Sequence, residues 1–209
     1  MKRISWLLAL GLCVVTGILQ AQTTVSFNFS ATAHSVSGWI NVIGDPATGI
    51  RSASDPNTGM TISSIGTEKW SSFFGQSAFD GEGPSNGTFF PAGVMINEWL
   101  QYDGNLSAYN ASVPQLKLSG LDTSRTYTIR MAGSSTSPLS QNPTRYTIAG
   151  RTVSGYIDVN NTNNTANGAT FNPIAPDASG NIYIYVNTAN SSQAAGISGV
   201  QVITEQLVH

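Results

Sequence analysis

Cysteine and charged side chains are both scarce in this chain, and each shortage excludes a class of function. The sequence contains one cysteine, Cys13, and two histidines, His34 and His209, and only 10% of its residues are charged. A serine or cysteine nucleophile needs an imidazole or a comparable base oriented beside it, and so few candidates make this arrangement improbable. Nine basic residues against eleven acidic ones provide no basic patch for nucleic acid. We therefore predict a protein that is not an enzyme and does not bind nucleic acid.

The N-terminal segment has the three parts of a secretory signal. Lys2 and Arg3 are followed by an apolar run of about 14 residues, Trp6 to Leu19, and then by the small residue Ala21. Because a bilayer-spanning helix needs roughly 20 apolar residues, this run is too short to be one. We expect cleavage after Ala21.

Cleavage there has two consequences for the exported chain. Residues 1–21 would be the signal peptide and residues 22–209 a single domain. Cys13 would leave with the signal, so disulfides and thiol chemistry would be excluded despite export.

Helical periodicity is missing as well, and short alternating segments replace it. No stretch after the signal sustains the i, i+3, i+4, i+7 apolar spacing of a surface helix. Alternation of apolar and polar residues instead predicts strands, separated by turn residues such as Asp, Asn and Gly. The predicted strands are Val25–Phe29, Leu116–Leu118, Tyr127–Met131, Tyr146–Ile148, Val153–Ile157, Ile182–Val186 and Val200–Val202. We predict an all-β fold, an antiparallel β-sandwich, with its first and last strands adjacent and with long loops between Gly38 and Gly93.

A short acidic segment, Asp80-Gly81-Glu82-Gly83, is the best candidate for a metal site. Calcium takes carboxylate and carbonyl oxygens from flexible loops, and glycine lets the backbone turn its carbonyls inward. A structural calcium held by Asp80 and Glu82 is therefore one interpretation, and a solvated acidic loop is the other. Carboxylates in this region, Glu98 and Asp103 included, also leave open hydrolysis by a carboxylate pair.

Several segments after Phe90 carry a resemblance to a known family. They resemble the galactose-binding-like, malectin-like jelly-roll modules found on extracellular proteins of Bacteroidetes-type bacteria. The segments are Phe90–Met95, Leu116–Tyr127, Thr144–Gly150, Asn160–Asn164, Phe171–Ile174, Pro176–Gly180 and Gly196–Ile203. The resemblance covers roughly residues 85 to 205. It implies a jelly-roll sandwich that binds a glycan or polysaccharide outside the cell or at its surface, without catalysis.

Aromatic and arginine side chains would then supply the ligand contacts. Trp39, Trp70, Trp99 and Tyr102 lie in or beside the irregular region, where loops present rings for stacking on a sugar, although a sandwich also needs large side chains in its core. Arg145 is added because it stands in the family-like Thr-Arg-Tyr segment and can donate to hydroxyls. We expect the ligand to contact the segment from Trp39 to Tyr102 more than the strands after Leu116.

A second hypothesis is self-association into an extracellular filament, matrix or adhesive layer. The predicted mature chain would consist of this one module, and its predicted strands carry few charged residues that would oppose edge-to-edge pairing.

Overall fold

The protein is an antiparallel β-sandwich. The structure, a computed structural model, describes residues 22–67, 70, 77–101, 113–136, 143–189 and 194–205, and the expected signal peptide lies outside these ranges. Within them there are fourteen strands, and the only helix is the single turn α1 (Ala92–Met95). The prediction of an all-β sandwich with almost no helix is confirmed.

Three sheets make up the described part of the chain. The five-stranded sheet has the order β11 (Ala169–Ile174), β8 (Tyr127–Ala132), β14 (Gly199–Thr204), β1 (Thr24–Ser30), β2 (Ile40–Ile43). The six-stranded sheet has the order β10 (Val153–Asn160), β9 (Pro143–Ala149), β12 (Ile182–Thr188), β7 (Leu116–Ser119), β4 (Thr61–Ser64), β3 (Ser52–Ser54). The smaller third sheet has the order β13 (Ala195–Ile197), β6 (Glu98–Gln101), β5 (Ala78–Phe79).

The connections give the sandwich its jelly-roll character. From β7 onward the chain changes sheet at most connections, and β9 and β10 form the hairpin that stays within one sheet. β1 pairs antiparallel with β14, so the first and last strands are neighbours as predicted. β2 pairs with β1 in parallel and is the exception to the antiparallel pattern of the larger sheets.

The core lies between the two larger sheets and follows the alternation seen in the sequence. The inward apolar side chains of six of the seven predicted strands are buried, among them Phe27, Ile129, Tyr146 and Ile184, each with 0% exposure. In the seventh, Val153–Ile157, only Ile157 packs against the core, and it is partly buried. Burying one large apolar side chain contributes about 1.5–3 kcal/mol, so this repeated pattern fixes which face of each strand points inward.

β1 is buried on both faces, unlike the expected pattern of one apolar and one polar face. In β1 the alternate residues Ser26, Asn28 and Ser30 are buried as well. A second apolar cluster, formed by Phe90, Val94, Met95 and Ala132 with Val36, Trp39 and Phe89 packed against it, lies outside the main core. Most of the buried polar groups of β1 pair: Asn28 Nδ2 and the Ser30 hydroxyl both donate to Asn41 Oδ1, at 2.6 and 3.0 Å, and the Ser26 hydroxyl accepts from Gln201 Nε2 at 3.2 Å. Asn28 Oδ1 has no partner among the described residues. Hydrogen bonding of this kind is what makes polar burial tolerable.

Candidate functional site

A charged and aromatic cluster lies on the outer face of the β9–β10 hairpin. Arg145 Nε and Nη2 donate to the two carboxylate oxygens of Asp158, both at 2.8 Å. The same guanidinium lies over the ring of Tyr156, 3.7 Å from its centroid. The Arg145 and Asp158 side chains are about one-third exposed and Tyr156 is 60% exposed. A bidentate, stacked arginine is held in one orientation and remains in contact with solvent.

A β-bulge brings these three residues together. Val153 pairs with Ala149, but the register shifts before Tyr156, which pairs with Thr147. A regular hairpin from the first pair would place Arg145 opposite Ile157. The extra residue at the bulge instead places Asp158 opposite Arg145, and Tyr156 and Asp158 then point outward with it. The Ser154 hydroxyl accepts the Ile148 backbone N–H at 3.0 Å and so replaces a ladder bond that the bulge interrupts.

Asp158 also lines a cleft of about 470 Å³ at the end of β10. We call this the Asp158 cleft, and its lining residues are Phe89, Asp158, Val159, Asn160, Ala166, Asn167 and Gly168. Asp158, Asn160 and Asn167 are exposed, and Phe89 is half-buried. The cleft therefore offers a carboxylate, two amides and an aromatic ring to solvent.

Phe89 is fixed by close packing on both sides. A Cβ on Gly168 would stand 2.1 Å from Phe89 Cε1, so the ring occupies the space that a side chain at position 168 would fill. Arg130 lies over the ring, 4.5 Å from its centroid, and donates from Nη1 to Gln201 Oε1 at 2.8 Å. Cation–π contact and steric confinement together hold the aromatic wall of the cleft in one place.

The opposite wall is the asparagine loop, residues 161–168, which joins β10 to β11. Buried Asn164 organises it, because Asn164 Nδ2 donates to the carbonyls of Gly133 (2.9 Å) and Asn167 (2.8 Å) while its Oδ1 accepts the Asn167 N–H (2.9 Å). The backbone of Ser135 donates to the Asn161 carbonyl at 3.0 Å and accepts from Asn163 at 2.9 Å. These contacts satisfy the buried backbone groups of a loop that lacks regular structure.

Beneath this loop lies a buried polar cluster around Glu98 in β6. Glu98 is fully buried, and neither carboxyl oxygen makes a hydrogen bond of normal geometry within the part of the chain that the structure describes. Burial raises the pKa of Glu98 from 4.5 to about 8; the Ser135 hydroxyl opposes this rise and the negative charge of Glu82 adds to it. Glu98 is therefore mainly protonated at neutral pH.

Two further buried side chains complete this cluster. Asn161 Nδ2 donates to Thr144 Oγ1 at 2.5 Å and to the Gly196 carbonyl at 3.2 Å. The Tyr146 hydroxyl donates to the same carbonyl at 2.7 Å. The pKa of Tyr146 is raised, first by burial and then by the charge of Glu98.

The structure separates the aromatic residues that the sequence singled out. Trp99 has 0% exposure and packs on Phe29 (4.6 Å between ring centroids), and Trp70, at 5% exposure, packs edge-on against Trp99 (5.4 Å). Neither ring can stack on a ligand in this structure, which corrects the assignment of both to a binding surface: the sandwich needs them as core. Trp39 is half-buried and packs edge-on against Phe90 at 4.8 Å. Tyr102 lies outside the described residues.

Sequence reasoning named Arg145 but not its partners. Phe89 comes from the loop segment that we expected to supply the ligand contacts, whereas the rest of the Asp158 cleft follows Leu116. Tyr156 and Asp158 could have been found from the sequence only by anticipating the bulge. The Asn160–Asn164 segment, part of the resemblance, was the available signal for the asparagine loop.

The acidic segment around Asp80 makes protein contacts. The Asp80 carboxylate accepts the backbone N–H groups of Ala31 (2.8 Å) and Thr32 (2.9 Å) and the Thr32 hydroxyl (2.6 Å). The Glu82 carbonyl accepts the backbone N–H of Thr136 at 2.6 Å and its hydroxyl at 2.7 Å. Among the described residues no three acidic, histidine or cysteine side chains cluster as a metal site would require. A structural calcium at Asp80 and Glu82 stays a prediction.

A second cleft, of about 450 Å³, lies at the other end of the sandwich, beside Asp122 and Arg125. Its carboxylate is occupied by the turn that it stabilises, since Asp122 Oδ1 accepts the Ser124 N–H (2.9 Å) and hydroxyl (2.6 Å). These bonds lower the pKa of Asp122, with a smaller contribution from Arg125. This cleft offers no exposed aromatic ring among its lining residues, since Tyr127 is buried.

Comparisons with known proteins give likenesses of structure alone. No family model and no curated protein sequence matches the chain. Protein YXIM from Bacillus subtilis aligns with 88% of this chain and 40% of its own length, at 14% identity and a TM-score of 0.46. The ANXUR1 extracellular domain from Arabidopsis thaliana aligns with 72% of this chain and 50% of its own, at 12% identity and a TM-score of 0.40. The family 32 CBM of NanJ from C. perfringens, solved in complex with galactose, aligns with 73% of this chain and 98% of its own, at 20% identity and a TM-score of 0.36. The chain thus spans half or less of the length of the first two.

Proposed function

We propose that this chain is a non-catalytic carbohydrate-binding module and that it holds its glycan in the Asp158 cleft. The observation that carries the proposal is that Asp158, which binds the Arg145 stacked on the exposed Tyr156 ring, lines a cleft together with Phe89 and exposed amides.

The chemistry of these groups suits a sugar. A sugar hydroxyl both donates and accepts. The Asp158–Arg145 pair presents an acceptor beside a donor, the Asn167 amide offers both, and the Asn160 amide offers its Nδ2 donor while its Oδ1 accepts the Thr162 N–H at 3.0 Å. One face of a pyranose is apolar and packs against aromatic carbon. Arg145 covers one side of Tyr156, and the 60% exposure of this residue leaves ring surface for such a contact.

The module would act outside the cell. The short apolar N-terminal run supports export, and no helix in the described ranges is long and apolar enough to cross a membrane. We propose that the module does not catalyse a reaction, because of where the candidate catalytic groups lie. Glu98 is buried away from solvent, and Gly83–Gly87, which has the Gly-x-Ser-x-Gly spacing, forms turns instead of a strand-to-helix elbow.

A glycan array with purified residues 22–209 tests this function. Three proteins are compared: the unsubstituted chain, Tyr156→Ala and the control Val153→Ala. Both residues are exposed on β10 and neither lines the cleft itself, but Tyr156 contacts the Arg145 that binds Asp158, whereas Val153 (70% exposed) pairs with Ala149 on the far side of the bulge. Truncation of Val153 therefore changes a comparable surface without touching this cluster.

The proposal expects a restricted set of glycans to bind the unsubstituted chain and the control equally. Tyr156→Ala should lose about 2 kcal/mol of binding, roughly a 30-fold weaker affinity, as anchor residues do. Equal glycan binding by Tyr156→Ala and Val153→Ala would place the ligand elsewhere, and no binding to any glycan would reject the function.

A second candidate function is self-association, which the exposed sheet edges favour. β10 and β2 are edge strands of the two larger sheets, and the large apolar residues that are most exposed lie on them or nearby: Val153 and Tyr156 on β10, Ile43 on β2 and Ile50. Unpaired edge strands are templates for pairing with another chain. Light scattering after size-exclusion chromatography distinguishes the two functions, because a filament former gives large assemblies and a monomeric module does not.

A further inference from the structure

We infer that the buried Glu98 carboxyl is a positioning group for the asparagine loop, so that ligand affinity at the Asp158 cleft depends on the protonation state of this carboxyl. The inference rests on the proposed function for its ligand, but its structural part concerns the loop alone.

Glu98 and the base of the asparagine loop meet at the Gly196 backbone. A Cβ on Gly196 would stand 2.6 Å from Glu98 Oε2 and 3.1 Å from Asn161 Nδ2, so both side chains pack directly on the Gly196 backbone. Asn161 is the first residue of the asparagine loop, and it has 0% exposure. The carboxyl and the loop therefore share one buried, solvent-excluded contact.

Ser135 also connects Glu98 to the asparagine loop. This residue is fully buried, its hydroxyl faces the Glu98 carboxyl, and its backbone bonds to the loop at Asn161 and Asn163. A change of charge on Glu98 thus acts on the segment to which the loop is bonded, as well as on Asn161 itself.

A negative charge on Glu98 would disturb these buried contacts. A buried carboxylate must gain hydrogen-bond donors or water, because an uncompensated charge in a low-dielectric interior is unfavourable. Among the described residues, the titratable groups that face Glu98 supply no positive charge: Glu82 repels it, and Tyr146 is neutral and already donates to Gly196. The Ser135 hydroxyl already faces the carboxyl, and the Asn161 amide, which packs on the same Gly196 backbone, is a further donor. This amide is now bonded to Thr144 and Gly196, so recruiting it would release the base of the loop.

The asparagine loop in turn forms part of the proposed ligand site. Ala166, Asn167 and Gly168 form one wall of the Asp158 cleft, and Gly168 also supports Phe89 on the other. Release of the loop therefore disturbs both walls. With the pKa of Glu98 near 8, this would happen at mildly alkaline pH.

Hydrogen exchange tests the structural part without any ligand. Exchange of amides in residues 161–168 is measured at several pH values between 6.5 and 9 in the unsubstituted chain and in Glu98→Gln. Gln has nearly the same shape and stays neutral, so comparison at each pH cancels the intrinsic pH dependence of exchange. The inference expects protection of the loop to fall by about tenfold or more above pH 8 in the unsubstituted chain and to persist in Glu98→Gln. Equal loss of protection in the two proteins would overturn it.

Two further readouts keep the test decisive. If Glu98→Gln does not fold, the chemical shift of the Glu98 carboxyl carbon is titrated by NMR in the unsubstituted chain, and the loop amides must shift in the same transition. A titration of Glu98 near pH 4.5, or one to which the loop amides do not respond, overturns the inference.

For a glycan found on the array, affinity should fall about tenfold from pH 6.5 to 9 in the unsubstituted chain and stay within about twofold in Glu98→Gln. Equal pH dependence in both refutes the coupling, whereas loop exchange that follows Glu98 with no glycan bound at any pH refutes the proposed function alone.

Discussion

At the residue scale, Gly168 decides the shape of the cleft. It is the point where the asparagine loop and the Phe89 ring meet, and a side chain there would overlap three ring carbons, the nearest at 2.1 Å. Such an overlap cannot be relieved by a small shift, because the Arg130 guanidinium lies over the same ring. The requirement for glycine at this position is therefore steric.

Gly168→Ala should move the Phe89 ring and destabilise the fold by about 1–3 kcal/mol, as overpacking does. The matched control is Gly155→Ala in the preceding strand, since a Cβ there would meet nothing within 4 Å. Denaturant unfolding of the two variants measures the difference, and the control should be neutral or slightly stabilised. Equal stability of the two variants would show that the ring is not confined as described.

Asp80 is a second residue whose role can be measured. Its carboxylate accepts three donors from Ala31 and Thr32, directly after β1. Asp80→Ala should therefore lower the stability by about 1–2 kcal/mol without any metal, by analogy with the loss of a capping side chain.

Melting with and without calcium separates this role from the predicted metal site. If calcium binds at Asp80 and Glu82, it should raise the melting temperature of the unsubstituted chain and not that of Asp80→Ala. A chain whose melting temperature ignores calcium would leave Asp80 with its structural role alone.

At the element scale, the sequence predicts the strands that alternate and misses those that do not. The seven predicted strands are present because each has one face in the sandwich core. β6, Glu98–Gln101, is buried on both faces and β13 has three residues, so neither shows a period of two. β11 alternates over Ala169–Asn172, but this run is short and ends at Pro173.

The same limit of prediction from sequence applies to the candidate site on the β9–β10 hairpin. Composition and turn residues locate β9 and β10, but the bulge between Val153 and Tyr156 decides which side chains meet Arg145. Burial of Trp70 and Trp99 likewise depends on long-range packing, because nothing in the local sequence distinguishes a core ring from an exposed one.

Glu98 in β6 also makes the stability of the fold depend on pH. The pKa of Glu98 is raised from 4.5 to about 8 in the folded chain, so between these values the folded state holds a proton that the unfolded state has lost. Stability must therefore fall as pH rises from about 4.5 to about 8, at up to about 1.4 kcal/mol per pH unit, and then level off.

Chemical unfolding at a series of pH values measures this dependence. Glu98→Gln should remove most of the slope and be the more stable protein at pH 8. A parallel slope in the two proteins would mean that Glu98 is not buried as a neutral acid.

At the scale of the whole molecule, the two ends of the sandwich differ in chemistry. The end with the Asp158 cleft combines an aromatic ring, amides and an ion pair, with a buried polar cluster beneath it. At the other end the acidic side chains Asp122 and Asp177 accept backbone N–H groups of their own turns. A ligand is therefore expected at one end alone.

Removal of a signal peptide on export would set the N-terminus of the exported chain. If the apolar N-terminal run is a signal peptide, intact-mass analysis of exported protein should show a chain that begins at Gln22. A mass that still includes Met1 would contradict this prediction.

The central claim is that a glycan lies in the Asp158 cleft, and Asn167 tests it most directly. The backbone of Asn167 bonds to Asn164, while its own side chain is exposed in the cleft, so Asn167→Ala removes a ligand-facing amide and leaves the bonds of the loop in place. Calorimetric titration with the strongest glycan from the array should show an affinity about fivefold to tenfold weaker for Asn167→Ala than for Val153→Ala, with unchanged melting temperatures. Equal affinities in these two equally stable variants would contradict the account.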